Sequence, residues 1–400
     1  MPSRGSKCTS KPRSDPSSTN HPHSDGTLSD ADGELFIKPC VQQEIDFYET
    51  ANRDHPDFAA LMPVYIGTIS LNDATDVNSL NEQLPGVADH LSQGLKEEAV
   101  HRAKEAAAAA AQPNPPPPDN NIAWNPNKNR KIPTNQSVVL QNSTHGFKKP
   151  NVLDAKLGRR LWADDAPEAK RKRFDDISRS TTNGSHGFRI AGMRVYRGSD
   201  EAGELDGEGF RVYGKDYGRF VVNGENLVGE IRGFVFNERA GIDEDLGRAV
   251  AKAFLGELRV VEEVLANAET RMYSASLLFT FEGNGEALRR AIEENNAIVD
   301  GVQQEAEGLV GGSGLAKGKA AEVDVLAVEG AIEGDVKIIE LMGDVADQEE
   351  EEEELLNLPR IFSLKLIDFA HAEWVPGQGP DENSLFGVRS LIKIFEELAE

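Results

Sequence analysis

The residues of this chain best suited to chemistry are an acid and a base two positions apart, Asp154 and Lys156. They follow the apolar pair Val152 and Leu153 and come before Gly158. Alternate side chains of a β-strand point to the same face, so this spacing predicts that both charges share one face. A carboxylate beside an ammonium suits a site that holds a hydroxyl and a phosphate together. The same spacing also fits a structural ion pair at the edge of a core.

A second acid, Asp368, closes the apolar stretch 364–367. Hard cations such as Mg²⁺ prefer carboxylate oxygens, and a strand end beside a cleft is a suitable place for such a ligand. Asp368 is therefore predicted to hold a metal ion that accompanies nucleotide phosphates. The alternative is an aspartate that caps the turn after the strand.

Basic residues that could meet phosphates occur in two places. Lys38 lies in a predicted strand, just before a predicted helix that carries Glu44, where a lysine can reach the phosphates of a nucleotide. Residues 170–173 are the basic run Lys-Arg-Lys-Arg, and several phosphates need several cations. That run also fits a nuclear-localisation signal or a solvated helix face.

Four segments of the chain resemble signatures of the inositol polyphosphate kinase family. Residues 150–158 match its Pro-x-x-x-Asp-x-Lys-x-Gly pattern, and residues 367–369 match its Ile-Asp-Phe motif. Residues 274–278 resemble its Ser-Ser-Leu-Leu element, with Ala275 in place of a serine. Residues 187–196 are similar to a segment typical of the multikinase branch. The resemblance extends over residues 31–73, 137–283 and 359–400.

The resemblance implies an ATP-dependent kinase that phosphorylates inositol tris- and tetrakisphosphates, with ATP and Mg²⁺ as cofactors. It implies catalytic roles for Asp154 and Lys156 and a metal ligand at Asp368. The nucleotide contacts that it implies are Lys38, Gln141, Ser143, Asp154, Ser276 and Asp368. The substrate contacts that it implies are Lys156, Lys170, Arg171, Arg173 and His371. Many family members carry an acid where Gln141 stands, which matters little if the backbone carbonyl reads adenine.

Two other readings of the sequence remain open. An inositol hexakisphosphate kinase or a trisphosphate 3-kinase shares these motifs, although residues 181–185 favour the multikinase branch. The chain could also be a non-catalytic nuclear scaffold, because the glutamate run 349–354 could bind basic nuclear proteins. A His-Arg-Asp catalytic loop is missing from the sequence, which argues against a protein kinase.

The composition limits the class of protein and its location. The chain has 43 lysine and arginine residues against 68 aspartate and glutamate residues, a formal net charge of −25. This excess of acid argues against a direct nucleic-acid binder. Two cysteines make neither a disulfide framework nor a zinc site, which fits a reducing compartment. Since no signal peptide and no apolar run of 18 residues appears, we expect a nuclear and/or cytoplasmic protein without a transmembrane segment.

The expected fold is α+β, a two-lobed inositol-phosphate kinase fold related to protein kinases and ATP-grasp enzymes, with low-complexity insertions. Residues 1–30 are expected to form a disordered tail because they are polar and rich in serine and proline. Residues 31–145 are expected to form an ATP-covering lobe with a low-complexity insertion at 74–136. Residues 146–283 are expected to form the catalytic and substrate-binding lobe, which a disordered acidic insertion at 284–357 interrupts. Residues 358–400 are expected to complete this second lobe and to carry the metal-binding motif.

Overall fold

The computed structural model describes residues 28–29, 33–70, 96–97, 100, 134, 136–311 and 359–400, with the backbone alone for 28–29 and 301–311. Most of the alanine-rich helix predicted at 97–111 and the whole glutamate run lie outside the described residues. Among the described helices, none combines the length and the apolar character needed to cross a bilayer.

The N-terminal part of the chain forms an antiparallel four-stranded sheet in the order β1-β2-β4-β3. Its strands are β1 (Leu28–Ser29), β2 (Leu35–Pro39), β3 (Tyr65–Ser70) and β4 (Gln136–Gln141). Helices α1 (Gln42–Asp54) and α2 (Pro56–Ala60) connect β2 to β3. The expectation that the tail is disordered up to residue 30 is wrong at its end, because Leu28 and Ser29 pair with Ile37 and Phe36.

A second, five-stranded antiparallel sheet has the order β10-β9-β5-β6-β7. Its strands are β5 (Pro150–Leu157), β6 (Phe188–Tyr196), β7 (Phe210–Tyr213), β9 (Ser276–Glu282) and β10 (Phe362–Ile367). A small sheet pairs β8 (Thr270–Met272) with β11 (Ala372–Trp374). Thus a strand near the C-terminus joins strands from the middle of the chain, and β5 lies at the centre of the sheet.

Seven further helices in the described part of the chain surround these sheets: α3 (Glu168–Ser180), α4 (Thr182–His186), α5 (Lys215–Phe220), α6 (Leu227–Val235), α7 (Glu244–Asn267), α8 (Gly285–Gly311) and α9 (Glu382–Ala399). The side chain of Asp243 caps α7 by accepting from the Leu246 backbone N–H at 3.0 Å. The spacing of Leu246, Val250, Phe254, Leu258 and Val261 predicts an apolar stripe on this helix, and all five are buried. Phe254 packs against Phe279 of β9 and Phe395 of α9. Burying that stripe holds α7 and α9 against the core face of the large sheet.

The core is continuous between the two sheets. The Leu366 backbone N–H of β10 donates to the carbonyl of Leu61 at 2.7 Å, and Phe47 of α1 stacks on Phe369 with ring centroids 4.9 Å apart. The expected α+β fold with two sheet-based lobes is confirmed, and these contacts join the lobes.

One strand prediction is wrong. The sequence of residues 210–220 predicts a region rich in strand, but the strand ends at Tyr213 and residues Lys215–Phe220 form α5. The helix fits because Gly218 lies directly against the carbonyl of Ile190, where a Cβ atom would have no room. The glycine therefore permits a close approach of helix to strand that a strand-period pattern does not anticipate.

The expected disordered insertion at 284–357 is wrong in its first part, because Gly285–Gly311 form the 27-residue helix α8. Leu288, Ile292 and Val299 recur at helical spacing and are at most 2% exposed. The Asn284 side chain accepts from the Ala287 backbone N–H at 3.0 Å and caps the helix start. Because residues 284–357 as a whole are rich in glycine, alanine and glutamate, their composition predicts disorder even though this short apolar stripe can form a helix. Residues 312–358 lie outside the described residues.

We expect α8 and the segment after it to respond differently to mutation. Leu288→Ala should lower the free energy of unfolding by about 2–5 kcal/mol, because it leaves a cavity under the helix. Glu293→Ala, on the exposed side of α8, should change it by less than about 0.5 kcal/mol. Replacing residues 312–358 with a short Gly/Ser linker should preserve both stability and activity, since loop length adds little entropy cost. Urea unfolding of the three variants tests this, and a linker variant as unstable as Leu288→Ala would contradict it.

Candidate active site

Strand β5 presents Asp154 and Lys156 on one face, as the alternation predicted. Leu153, Ala155 and Leu157 point to the other face and belong to the core. Asp154 is 7% exposed, and its Oδ1 has no hydrogen-bond partner among the described residues. The two charged groups therefore lie on the face opposite these core side chains, and the ion pair that Lys156 forms is with Asp368.

The pairing of three strands places Asp368 beside Lys156. Lys156 is opposite Ser276 of β9, and Ser276 is opposite Ile367, the last residue of β10. Asp368 follows with φ +69°, a left-handed conformation that aspartate tolerates better than most residues. The Lys156 Nζ lies 3.6 Å from Asp368 Oδ2 and donates to the carbonyl of Ser274 at 2.7 Å.

Lys38 reaches the same carboxylate from the other sheet. Its Nζ lies 2.7 Å from Asp368 Oδ1 and 2.8 Å from Glu44 Oε1 of α1. Glu44 Oε1 also accepts from the Phe369 backbone N–H at 3.2 Å, so one carboxylate fixes both the lysine and the chain after Asp368. The two ends of the chain, 330 positions apart, thus meet in one charged cluster.

The charges of this cluster keep it ionised. The surrounding protein acts to raise the pKa of Asp368, but attraction by Lys38 and Lys156 outweighs it and holds that pKa well below its usual range. Burial acts to lower the pKa of Lys38, but Asp368 and Glu44 together hold it well above its usual range. Asp368 is therefore an anion, and Lys38 a cation, at any pH near neutrality.

Aromatic rings support Asp368 from behind. Phe369 stacks on Phe47, and Phe47 stacks in turn on Trp374 with ring centroids 5.0 Å apart. Trp374 stacks on His55 at 3.7 Å, and Tyr48 meets Phe369 edge-on at 5.3 Å. This row of rings, all from α1, its C-terminal end and the β10–β11 region, fixes the direction in which the Asp368 carboxylate leaves the strand.

Gln141 and Ser143 lie in the segment that connects the two sheets, between β4 and β5. The Gln141 backbone N–H donates to the carbonyl of Val64 at 2.9 Å, and the Asn142 side chain accepts from the Thr144 backbone N–H at 3.0 Å. Ser143 is 7% exposed. Their predicted contacts with adenine stay a prediction, but the segment has the place and the rigidity that a hinge between lobes requires.

The turn between β5 and the basic helix α3 requires a glycine at position 158 and is fixed by two asparagine side chains. Gly158 has φ +93°, and a Cβ there would collide with Asn383 of α9. The Asn383 Oδ1 accepts from the backbone N–H groups of Arg159 and Arg160 at 2.8 and 2.9 Å. Asn183 Nδ2 donates to the carbonyl of Gly158 at 2.8 Å. Here glycine is required both by the positive φ and by the close neighbour.

The basic run does not act as one unit. Lys170 faces the cleft, where its Nζ lies 3.4 Å from His371 Nε2. Burial and the charge of Lys170 lower the pKa of His371, which favours a neutral imidazole. Arg171 instead donates to the carbonyls of Asp164 and Ala166, so its guanidinium holds the preceding loop. Arg173 is exposed, as is Lys172.

The donors fit a divalent metal that is shared with phosphate oxygens. In the described part of the chain, no group of three or more histidine, cysteine, aspartate or glutamate residues could enclose an ion. Asp368 supplies one carboxylate, and Ser276 nearby has a buried Oγ without a hydrogen-bond partner among the described residues. Mg²⁺ is commonly held by one or two carboxylates together with substrate phosphates, and this donor set matches that pattern.

Sequence reasoning gave Glu44 no role of its own. Glu44 follows two glutamines at the start of α1 and is only 1% exposed. Its burial depends on contacts with Lys38 and Phe369, which are distant in the sequence or on another element. The carbonyl of Ser274 was missed as well, because Ser274 has φ +65° and its oxygen meets Lys156 only through this unusual backbone conformation.

A lysine–glutamate pair from the first lobe, a strand-end aspartate from the second and a connecting hinge define the chain as a kinase. A sequence model described as inositol polyphosphate kinase matches residues 137–396, well over half of the chain. The chain therefore belongs to the inositol polyphosphate kinase family.

Individual relatives agree with that assignment. The inositol polyphosphate multikinase of Saccharomyces cerevisiae is 28% identical over 391 residues, which cover 93% of this chain and 94% of that protein. Human inositol hexakisphosphate kinase 1 is 27% identical over 285 residues, covering 68% of this chain and 54% of that protein. The crystal structure of the S. cerevisiae inositol phosphate multikinase in complex with ADP and Mn²⁺ shares the fold, with a TM-score of 0.52, 24% identity and coverage of 92% of this chain and 100% of that one.

Proposed function

We propose that this protein transfers the γ-phosphoryl group of ATP to a hydroxyl of an inositol polyphosphate, and that it is a multikinase acting on tris- and tetrakisphosphates. The observation that carries the proposal is the meeting of Lys38, Lys156 and Asp368 at the cleft between two lobes. Two cations around one carboxylate suit a site where phosphate charge and a metal ion are brought together.

In the proposed reaction the acceptor oxygen forms a bond to the γ-phosphorus while the bond to the β–γ bridging oxygen breaks, so that ADP leaves. Lys38 binds the phosphates of ATP from the first lobe. Asp154 orients the acceptor hydroxyl and receives its proton, and Lys156 neutralises the transferring group. Asp368, with Ser276 beside it, would hold Mg²⁺, which neutralises charge on the β- and γ-phosphates when bound. Such catalysis depends mainly on positioning and charge.

Substrate phosphates would bind beside α3, on the side where Lys170 lies close to His371. Lys170 and the neutral His371 supply a cation and a hydrogen-bonding ring at one place. The match to the yeast multikinase along nearly the whole chain supports the multikinase assignment over a hexakisphosphate kinase, whose human member is matched over about half of its length.

The experiment that tests the function is incubation of the purified full chain with Mg²⁺, ATP and a panel of inositol phosphates, with products separated by chromatography. We expect tris- and tetrakisphosphates to be phosphorylated and hexakisphosphate to react much more slowly. Preferential use of hexakisphosphate would move the protein to the other branch. Lack of turnover with every acceptor would favour the scaffold reading instead.

Because Lys170 contacts His371 and Arg173 is exposed, we predict that their substitutions affect the KM for the inositol phosphate differently. Lys170→Met should raise the KM for the inositol phosphate by roughly tenfold, since one charge-assisted contact contributes about 1.5–3 kcal/mol, and it should leave the KM for ATP nearly unchanged. Arg173→Met, four-fifths of a turn further along α3 and exposed, serves as the matched control and should change either KM by less than about twofold. Steady-state kinetics with both substrates varied tests this, and equal effects of the two variants would contradict it.

Two further expectations concern the cell rather than the reaction. We infer a nuclear and/or cytoplasmic location and an acidic tract that binds basic nuclear proteins, both from sequence features alone. If the run 170–173 directs nuclear import, Arg173→Met should reduce import without changing kinetics, because Arg173 is exposed.

A further inference from the structure

Two charged side chains beside the site are buried with some of their polar atoms unpaired among the described residues. Arg189 is 4% exposed, and its Nε and Nη1 have no hydrogen-bond partner among the described residues. Asp154 is 7% exposed, and its Oδ1 is also unpaired there. Burying a charge without a compensating charge or hydrogen bond is costly. The proposed reaction assigns no contact with ATP or the inositol phosphate to Arg189. Its burial next to the site therefore indicates another role.

The sheet places the two residues on the same face. Phe188 and Ile190 of β6 point into the core, so Arg189 between them points to the opposite face, which also carries Asp154. A β-bulge shifts the pairing of β5 with β6 directly after Asp154, and the residue opposite Asp154 is Gly192. Because glycine has no side chain, the space over Asp154 on the β6 side is left for a neighbouring group.

The electrostatics connect Arg189 to Asp154. Burial and repulsion by Arg219 lower the pKa of Arg189 to about 10, while Asp154 acts in the opposite direction. Arg189 thus remains a cation at neutral pH, and attraction to Asp154 favours that charged form. Arg219 is fixed close by because its neighbour Gly218 lies against the carbonyl of Ile190.

The other cations on this face are engaged elsewhere. Lys156 donates to the carbonyl of Ser274 and lies 3.6 Å from Asp368. Arg194, further along β6, forms ion pairs with Asp206 and Glu208. Arg189 lies opposite Lys156 in the pairing of β5 with β6, so it is a diagonal neighbour of Asp154 on the same face of the sheet.

We propose that Arg189 is a positioning residue for Asp154, and that its guanidinium keeps the buried carboxylate aimed at the acceptor hydroxyl. The proposal rests on the proposed function, which gives Asp154 the acceptor hydroxyl. Arg189 acts through the carboxylate and not on the substrate. A guanidinium suits this task because its planar group of N–H donors matches a carboxylate.

A double-mutant cycle tests the coupling, because residues that act through each other have non-additive effects. Arg189→Met in the natural chain should lower kcat by roughly 10–100-fold, on the scale of losing an electrostatic partner in a site. In an Asp154→Asn background the same change should lower kcat by less than about twofold, because no carboxylate remains to be positioned. Single-turnover measurements at high enzyme concentration give the rates of the slow variants.

Two control variants separate positioning from stability. Arg189→Lys keeps a cation and should retain at least about a third of the natural kcat. Val195→Ala, on the core face of the same strand, should lower the free energy of unfolding and leave kcat per folded molecule unchanged. If Arg189→Met does not fold, Arg189→Gln removes the charge with a side chain that can still hydrogen-bond, and the same cycle applies to it.

The outcomes distinguish this inference from the proposed function. An Asp154→Asn variant with near-normal turnover would remove the assigned role of Asp154, and the positioning role with it. A strongly impaired Asp154→Asn variant, combined with an equal effect of Arg189→Met in both backgrounds, would overturn the positioning role alone. Equal loss of kcat in Arg189→Lys and Arg189→Met would do the same.

Discussion

Asp368→Asn is expected to reduce kcat by about 100-fold or more at saturating Mg²⁺ and ATP. The change removes the one carboxylate charge that Lys38 and Lys156 share, and with it the predicted metal ligand. Losses of this size are typical when a group that stabilises transition-state charge is removed. The fold should survive, because asparagine tolerates the left-handed conformation at φ +69°.

The measurement is the rate of product formation by the purified variant, with a thermal melt to establish that it is folded. Asp46→Asn on the exposed side of α1 makes the same chemical change away from the cleft and should leave kcat unchanged. If Asp368→Asn turned over at a near-normal rate across a range of Mg²⁺ concentrations, Asp368 would not be the metal ligand.

The elements that carry the site could be predicted from sequence because each has a strong local pattern. The apolar stripe of α7, the alternation in β5 and the apolar run ending at Asp368 each determine which side chains face the core. These patterns gave the direction of Asp154 and Lys156 before any tertiary contact was known. What they could not give is the register among β5, β9 and β10, since pairing between distant strands depends on the whole sheet.

The features that escaped prediction depend on contacts between distant residues. The role of Glu44 depends on its contacts with Lys38 and Phe369. Helix α5 can form because Gly218 permits a close approach to β6. Arg189 left one sequence signal, since it is one of two arginines between apolar neighbours in a strand that is buried along all nine of its residues. A buried charge of this kind points to a functional or pairing role, but its partner becomes apparent only from the bulge that places Asp154 opposite Gly192.

The four residues of the basic run differ in their contacts, and the predicted substrate contacts of Arg171 and Arg173 stay predictions. Four consecutive basic residues on a helix point in four directions, about 100° apart, so only part of the run can face one substrate. Lys170 meets His371, whereas Arg171 turns back to the loop that precedes the helix. Charge density along the sequence therefore overestimates charge density at a site.

Lys38→Met is expected to lower kcat/KM for ATP by about 100-fold while leaving the KM for the inositol phosphate within about threefold. The ammonium of Lys38 lies between Glu44 and Asp368, and its place in the first lobe is where the phosphates of ATP would lie. Its removal also leaves the buried carboxylate of Glu44 without its cation, so some loss of stability should accompany the loss of activity. Lys38→Arg should not restore activity, because a larger planar guanidinium cannot replace a compact ammonium between two carboxylates.

Lys365→Met provides the matched control for Lys38→Met. Lys365 lies on β10, three residues before Asp368, and its Nζ donates to the carbonyl of Ala60 at 2.7 Å. Both lysines thus bridge the two lobes with a single ammonium, but only Lys38 touches the carboxylate at the cleft. Steady-state kinetics with ATP and the inositol phosphate varied in turn should show a large defect for Lys38→Met and a small one for Lys365→Met. Equal defects would mean that the lysines act by joining the lobes, and the assignment of Lys38 to the ATP phosphates would then fail.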